Sequence, residues 1–245
     1  MNPVIKLLKS HRSIRKFSDK TIDKELLQEL IVAGQSAATS SFLQGVTVIR
    51  VSNSDVRAQI AELAGNQTYV QKAAEFLVFC ADLKRSSDCC RQYGKEAEKG
   101  YTEQFIIATV DTALFAQNVA TAAESVGLGI CFIGGIRNDP AKVSELLKLP
   151  KGVYPVFGFC LGYPAQDPEL KPRLPLSVIF KEEAYTDDKD GQAIAEYDQQ
   201  VTEYYRTRTG GRKEMTWTEQ MSDFLAKQSR PHMKEFLKQQ GFEMK

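Results

Sequence analysis

The sequence is poor in the residues that bind structural metals and form disulfides. It has 2 histidines and 5 cysteines in 245 residues. The cysteine count is odd, and Cys89 and Cys90 are adjacent rather than separated as C-x-x-C. We therefore expect neither a disulfide framework nor a zinc site, and the role of this cysteine pair stays open.

A large excess of charge and a long apolar run are also lacking. The 32 lysines and arginines almost balance the 31 aspartates and glutamates, which argues against a general polyanion binder. No uninterrupted apolar stretch approaches the ~18 to 20 residues of a membrane span, and the start lacks the pattern of a signal peptide. These features predict a cytoplasmic protein that binds neither nucleic acid nor membrane.

Apolar periodicity predicts helices that alternate with strands. Strands are expected at 46–51, 76–81, 130–133, 153–161 and 178–180, with the second one central because it is apolar throughout. A long buried helix is expected over 103–126, a loop or exposed insertion over 83–100, and polar helices near 192–205, 217–227 and 231–240. This pattern indicates an α/β or α+β class in one domain, residues 1–245. The C-terminal third has few aliphatics, so its aromatic side chains must pack on a surface already folded, in the same subunit or a partner.

Three basic clusters are candidate anion sites. In an extended segment, His11, Ser13 and Arg15 would point the same way, and Arg12 adds a second guanidinium. The other two clusters are KPRLP at 171–175, stiffened by prolines, and residues 204–213, which hold four cations and no acid. A solvated turn or surface loop is the alternative for each cluster.

The glycines at 127–135 do not form a dinucleotide fingerprint. G-x-G-x-x-G should open a helix after a strand, whereas Gly127 and Gly129 follow a helix. Gly134 and Gly135, at a strand end, would instead let a flat ring approach backbone N–H groups. The sequence offers few residues for a nucleophilic catalytic triad, so redox chemistry on a bound cofactor fits it better than hydrolysis.

Several motifs occur together in a characteristic order. They are HRSIR at 11–15, SSFLQ at 40–44, GNQ at 65–67, AES followed by GLG at 123–129, IGGIRN at 133–138, KPRLP at 171–175, and Tyr204-Tyr205 before Arg208. With these motifs the chain resembles the type A oxygen-insensitive nitroreductases and NADPH-dependent flavin reductases over nearly its whole length. It departs from their pattern at Thr39, where serine is common, at Phe132, where tyrosine is common, and in the loop at 86–100.

The resemblance implies an α+β fold, a three-layer α/β/α sandwich with a mixed central sheet. It also implies a homodimer in which residues 176–245 form an extension that embraces the partner. Each active site would hold one tightly bound, non-covalent FMN. NADPH would be the co-substrate, and two electrons would pass by ping-pong kinetics to nitroaromatics, quinones, free flavin or chromate.

Site residues are likewise implied by the resemblance. No side chain is a catalytic acid or base, because flavin N5 is the reactive atom and Gly134 N–H would lie near it. The expected cofactor contacts are His11, Arg12, Ser13, Arg15, Gln67, Tyr69, Phe132, Ile133, Gly134, Gly135, Lys171 and Arg173, with Thr39, Ser40 and Ser41 from the opposite subunit. Arg208, Arg212 and Lys213 would bind the NADPH 2′-phosphate, Phe42 would shape the substrate face, and no metal is expected.

Two other functions are compatible with this resemblance. The dimer could store or transfer FMN without turnover, or it could be an FMN-dependent dehalogenase or ring-reducing relative on the same fold. The physiological acceptor, the retention or release of reduced FMN and the strictness of NADPH over NADH are not fixed by the sequence.

Overall fold

The computed structural model describes residues 1–245 and contains eleven α-helices and four β-strands. The strands are β1 (Val46–Arg50), β2 (Glu75–Asp82), β3 (Gly129–Ile133) and β4 (Val153–Gly162). The helices are α1 (Pro3–Lys9), α2 (Lys24–Gln35), α3 (Ser54–Leu63), α4 (Thr68–Lys72), α5 (Lys84–Gln92), α6 (Thr102–Ser125), α7 (Pro140–Leu146), α8 (Leu176–Ile179), α9 (Asp190–Thr209), α10 (Trp217–Leu225) and α11 (Met233–Gln239).

Capping side chains fix several helix starts. The Asn2 side chain accepts a hydrogen bond from Val4 N at the start of α1, and Asn53 accepts from two backbone N–H groups of α3. Asp139 accepts from Lys142 N ahead of α7. Each cap satisfies an N–H group that has no partner inside the helix.

The chain divides into two compact units, residues 1–167 with 232–245, and residues 168–231. In the first unit the sheet order is β1-β2-β4-β3, and all three ladders are antiparallel. The predicted α+β class is therefore confirmed. Parallel pairing, which a mixed sheet requires, occurs only as an isolated bridge between Ser13 and Ile130.

Helices cover both faces of this sheet. Along β2, Phe76 and Val78 point into one apolar cluster, while Leu77 and Phe79 point into another. The first cluster joins the sheet to α3, α4 and α7, and the second joins it to α2 and α6. Because every β2 residue is buried, the prediction of a central strand is confirmed, as are the three layers.

One face of α6 packs on the sheet, while Ile106, Val110 and Leu114 on another face are exposed. By length and composition this helix could cross a membrane. That is weak support for a membrane span, because core helices of soluble proteins pass the same test. The long helix expected over 103–126 is therefore present, but it is buried on one face only.

Two expectations are wrong. The stretch 178–180 was expected to be a strand, but Val178 and Ile179 lie in the short helix α8 and Phe180 follows its end. The polar stretch 83–100 was expected to be a loop or exposed insertion, but its residues Lys84–Gln92 form helix α5. In this helix Asp88 pairs with Lys84 and Arg91, one helical turn away on either side. Such pairs support a helix that has no apolar face to bury.

The second unit consists of α8, α9 and α10 with the connecting segments. Tyr197 of α9 and Trp217 of α10 pack edge to face, with ring centroids 6.1 Å apart. Leu176, Ile179, Phe180, Phe224 and Leu225 stay exposed. This unit therefore presents apolar surface that its own helices do not cover.

Candidate functional site

The segment after α1 is extended beside β3, where Ser13 and Ile130 form an isolated parallel bridge. Ile14 N donates to Ile130 O at 2.8 Å, and the Ile14 side chain is buried. Since side chains alternate in an extended chain, Ser13 and Arg15 point away from the core side that Ile14 occupies. Gly129 allows this close approach, because a Cβ there would lie 2.6 Å from the Ile14 side chain.

Carboxylates hold the first two residues of this segment in place. His11 Nδ1 lies 2.6 Å from Glu124 Oε1, and Arg12 forms an ion pair with Asp167. Arg12 Nε is nevertheless buried without a hydrogen-bond partner. A buried donor of this kind calls for an acceptor supplied from outside the chain.

A second buried polar atom without a partner lies on the loop before α4. Gln67 Oε1 accepts no hydrogen bond although it is buried. Nearby, burial raises the pKa of Tyr69, and a hydrogen bond with Arg15 opposes that rise. Gln67, Tyr69 and Arg15 thus provide one free acceptor and two donor groups.

The backbone at the end of β3 is packed too closely for side chains. A Cβ on Gly135 would lie 2.4 Å from Ala64 O, well inside van der Waals contact. Ile133 is buried, while the Phe132 side chain is 37% exposed and packs edge to face on Phe157 and Phe159. Glycine at position 135 is therefore required by packing against the backbone of Ala64.

The loop at 39–44 has a conformation that non-glycine residues rarely adopt. Ser41, Phe42 and Gln44 have φ values of 50°, 57° and 53°. Ser40 N donates to the Asp111 carboxylate at 3.0 Å, and the other oxygen of Asp111 is buried without a partner. Strain of this kind persists only where surrounding contacts impose it, and it concentrates at functional sites.

The second unit holds the remaining predicted cations against tyrosines. Lys171 Nζ donates to Tyr205 Oη at 3.0 Å, and Arg173 donates to Lys171 O at 2.9 Å. Burial alone would raise the pKa of Tyr205, but Lys171, Lys213 and Arg208 together lower it below its usual value. This unit is therefore strongly electropositive around Tyr205.

The cluster at 204–213 is more ordered in its first half than a glycine-rich flap would be. Helix α9 continues to Thr209, so Arg208 lies in its last turn and donates to Tyr204 Oη at 2.7 Å. Arg212 and Lys213 follow Gly210, which ends the helix in the left-handed conformation.

Sequence reasoning gave neither Glu124 nor Asp111 a role at this site. Both lie on α6, where Glu124 was marked only as part of the AES motif and Asp111 only as an acid in a largely apolar helix. No group of three or more histidine, cysteine, aspartate or glutamate side chains is arranged to hold a metal, and all five cysteines are free.

Comparison with known proteins places this architecture in a family. The model of the nitroreductase family matches residues 8–163, and that of the nitroreductase family C-terminal domain matches residues 171–245. The chain belongs to the nitroreductase family.

The chain is similar to individual relatives over almost its full length. It is 45% identical to the oxygen-insensitive NADPH nitroreductase of Salmonella typhimurium, and the match covers 99% of each chain. It is 40% identical to the FMN reductase (NADPH) of Bacillus subtilis, again over 99% of each. Among solved structures, NfrA1 of B. megaterium superposes with a TM-score of 0.95 at 42% identity, covering 98% of this chain and 99% of that one.

Proposed function

We propose that this chain works as a cytoplasmic homodimer that reduces small oxidants with electrons from NADPH. The relatives include an NADPH nitroreductase, an FMN reductase, a Cr(VI) reductase and an NADPH-flavin oxidoreductase. The chain is accordingly an NADPH-dependent FMN oxidoreductase. It reduces acceptors of the classes those names give, nitroaromatics, flavin and chromate, and we add quinones as a proposal.

The residues present fit FMN. The observation that carries this conclusion is the pair of buried polar atoms without partners, the donor Arg12 Nε and the acceptor Gln67 Oε1. FMN carries phosphate oxygens that accept hydrogen bonds and a ring edge that also donates them. Gly134 and Gly135 carry no side chain between the backbone and the place proposed for the flat ring.

We assign roles to these residues by their chemistry. His11, Arg12, Ser13 and Arg15 would bind the phosphate, ribityl chain and pyrimidine edge, because guanidinium groups match phosphate and carbonyl oxygens. Gln67 and Tyr69 would hydrogen-bond the ring edge, and Phe132, Ile133, Gly134 and Gly135 would run along it. Lys171 and Arg173 would add positive charge, and Thr39, Ser40 and Ser41 would come from the opposite subunit.

FMN, when bound, supplies the two-electron chemistry between NADPH and the acceptor. The chain orients NADPH through Arg208, Arg212 and Lys213, whose cations suit the 2′-phosphate. Basic side chains stabilise the negative charge that reduction brings into the site. Phe42, 81% exposed, would shape the face that NADPH and the acceptor occupy in turn, which gives ping-pong kinetics.

Exposed apolar side chains support the homodimer. Val4, Ile5 and Leu8 of α1 and Ile106, Val110 and Leu114 of α6 are each more than 40% exposed, and α1 packs on α6. Exposed apolar side chains grouped on packed helices mark an interaction surface. We also retain the proposal of one domain, residues 1–245, with residues 176–245 as a C-terminal extension. Within it, residues 232–245 pack with residues 1–167 of their own chain, so we propose that the part before residue 232 wraps on the partner.

An anaerobic absorbance titration tests the function. The purified protein should show a flavin spectrum that bleaches on addition of NADPH and more slowly with NADH. Turnover with an added acceptor then separates an enzyme from a protein that only stores FMN. Absence of flavin, even after incubation with FMN, would overturn the assignment of the basic clusters.

A further inference from the structure

A cavity in the first unit lies outside the proposed cofactor site. It has a volume of about 650 Å³ and lies between α5, residues 95–100 and the C-terminal residues 241–242. Leu83, Ile107 and Phe242 contribute apolar lining. Its volume falls in the range of small-molecule pockets, and none of the residues assigned to FMN or NADPH lines it.

The charges around this cavity favour an anion. Five basic and three acidic side chains line it, and one of the acids, Asp88, is already paired with Lys84 and Arg91. Lys95 and Lys99 are exposed and their side chains have no ion pair or hydrogen bond, and the same holds for the carboxylates of Glu96 and Glu98. The excess of positive charge beside the apolar pocket is therefore a property of the whole lining, five basic against three acidic residues.

The cavity is separate from the apolar patch that supports the homodimer. Ile107 lines the cavity, whereas the patch includes Ile106, about 100° away around α6. Our proposal takes the cavity to be open in the dimer, which the reactivity of Cys90 tests.

We propose that this cavity binds a small amphipathic anion, with an aromatic or medium-chain apolar body and one carboxylate or sulfonate group. The apolar body would contact Leu83, Ile107 and Phe242. The anionic group would pair with Lys95 and Lys99. This inference does not depend on the flavin assignment, because it uses different residues.

Alkylation of Cys89 and Cys90 can be used to measure ligand binding in the cavity. Cys90 lines the cavity and is partly exposed, while Cys89 is exposed and does not line it. The other three cysteines are buried, so they react slowly with iodoacetamide. Alkylation of Cys90 is followed in a Cys89→Ser variant of the flavin-loaded protein, and alkylation of Cys89 in a Cys90→Ser variant.

Naphthalenesulfonate serves as the probe and naphthalenemethanol as its uncharged match. At a concentration ten times its Kd the sulfonate should slow alkylation of Cys90 about tenfold, because only about a tenth of the sites stay empty. Alkylation of Cys89 should be unchanged. The alcohol should bind about fivefold more weakly, the ratio that an exposed ion pair gives.

Charge variants separate this site from nonspecific binding. Lys95→Gln/Lys99→Gln should abolish the preference for the sulfonate while the flavin spectrum is kept. The matched variant Lys24→Gln/Lys234→Gln changes two exposed lysines that do not line the cavity, and it should keep the preference. The proposal is overturned if the sulfonate does not slow alkylation of Cys90, or if Cys90 does not react with iodoacetamide in the dimer. It is also overturned if the sulfonate and the alcohol slow alkylation equally, or if both double variants lose the preference for the sulfonate.

Discussion

Replacing Asp111 by alanine tests whether the loop at 39–44 is held for flavin binding. Asp111 is 1% exposed, and one of its carboxylate oxygens accepts from Ser40 N at 3.0 Å. The loop beyond it keeps Ser41, Phe42 and Gln44 in the left-handed region. Without the carboxylate the loop is expected to relax, and binding of FMN must then restore its conformation.

The magnitude follows from that hydrogen bond. A hydrogen bond to an ionised group contributes about 1.5 to 3 kcal/mol, so losing it should raise the Kd for FMN about tenfold to a hundredfold. The free energy of unfolding should change less, by about 1 kcal/mol or below, for two reasons. Ser40 is exposed, so its N–H can bond to water, and removing the buried, unpartnered oxygen relieves a desolvation cost.

The assay is titration of the flavin-free protein with FMN, followed by quenching of flavin fluorescence. Asp111→Asn is the matched control, because its amide oxygen can still accept from Ser40 N. Its Kd should lie between those of the parent protein and Asp111→Ala. Unfolding by urea is measured on the same samples. The reasoning is refuted if Asp111→Ala lowers the free energy of unfolding by several kcal/mol while leaving the Kd for FMN unchanged.

Three further predictions concern the co-substrate, the core and pH. Arg208→Ala should raise KM for NADPH far more than KM for NADH in steady-state assays, and equal increases would exclude a role at the 2′-phosphate. Gly135→Ala should lower the free energy of unfolding in urea by about 1 to 3 kcal/mol, because its Cβ would lie 2.4 Å from Ala64 O. Gly191→Ala is the control, and because open space surrounds Gly191 this change should leave the free energy of unfolding unchanged or raise it. Burial raises the pKa of Tyr154 to about 12, so its phenol stays protonated to a higher pH in the folded state than in the unfolded state. The free energy of unfolding should therefore fall as the pH rises from about 10 to about 12. Tyr154→Phe should make that fall shallower by about 2 to 3 kcal/mol in unfolding measured against pH, and an unchanged slope would contradict the assignment.

Local chemistry made much of the fold predictable from the sequence. The six consecutive apolar residues at 76–81 could all be buried in a short strand only if both of its faces were covered, and β2 is such a strand. The caps at Asn2, Asn53 and Asp139 depend only on neighbouring backbone N–H groups, so their positions are readable without tertiary information.

Contacts between distant residues could not be read in the same way. Glu124 lies 113 residues from His11, and Asp111 lies 71 residues from Ser40. No periodicity links such pairs, so the sequence showed neither which group each acid contacts nor that it supports the site. Helix α5 was missed for a related reason, because its stability rests on pairs between charged side chains and not on an apolar stripe.

Helix α6 connects these separate observations. Its buried face packs on the sheet, Glu124 near its end holds His11, and Asp111 at its middle holds the loop at Ser40. Its exposed face carries the apolar patch that we assign to the partner subunit. If that assignment is correct, one rigid element sets the phosphate-binding segment of its own subunit and the serine loop offered to the other. Substitutions at the patch should then weaken flavin binding together with dimerisation, although no patch residue is assigned a contact with FMN.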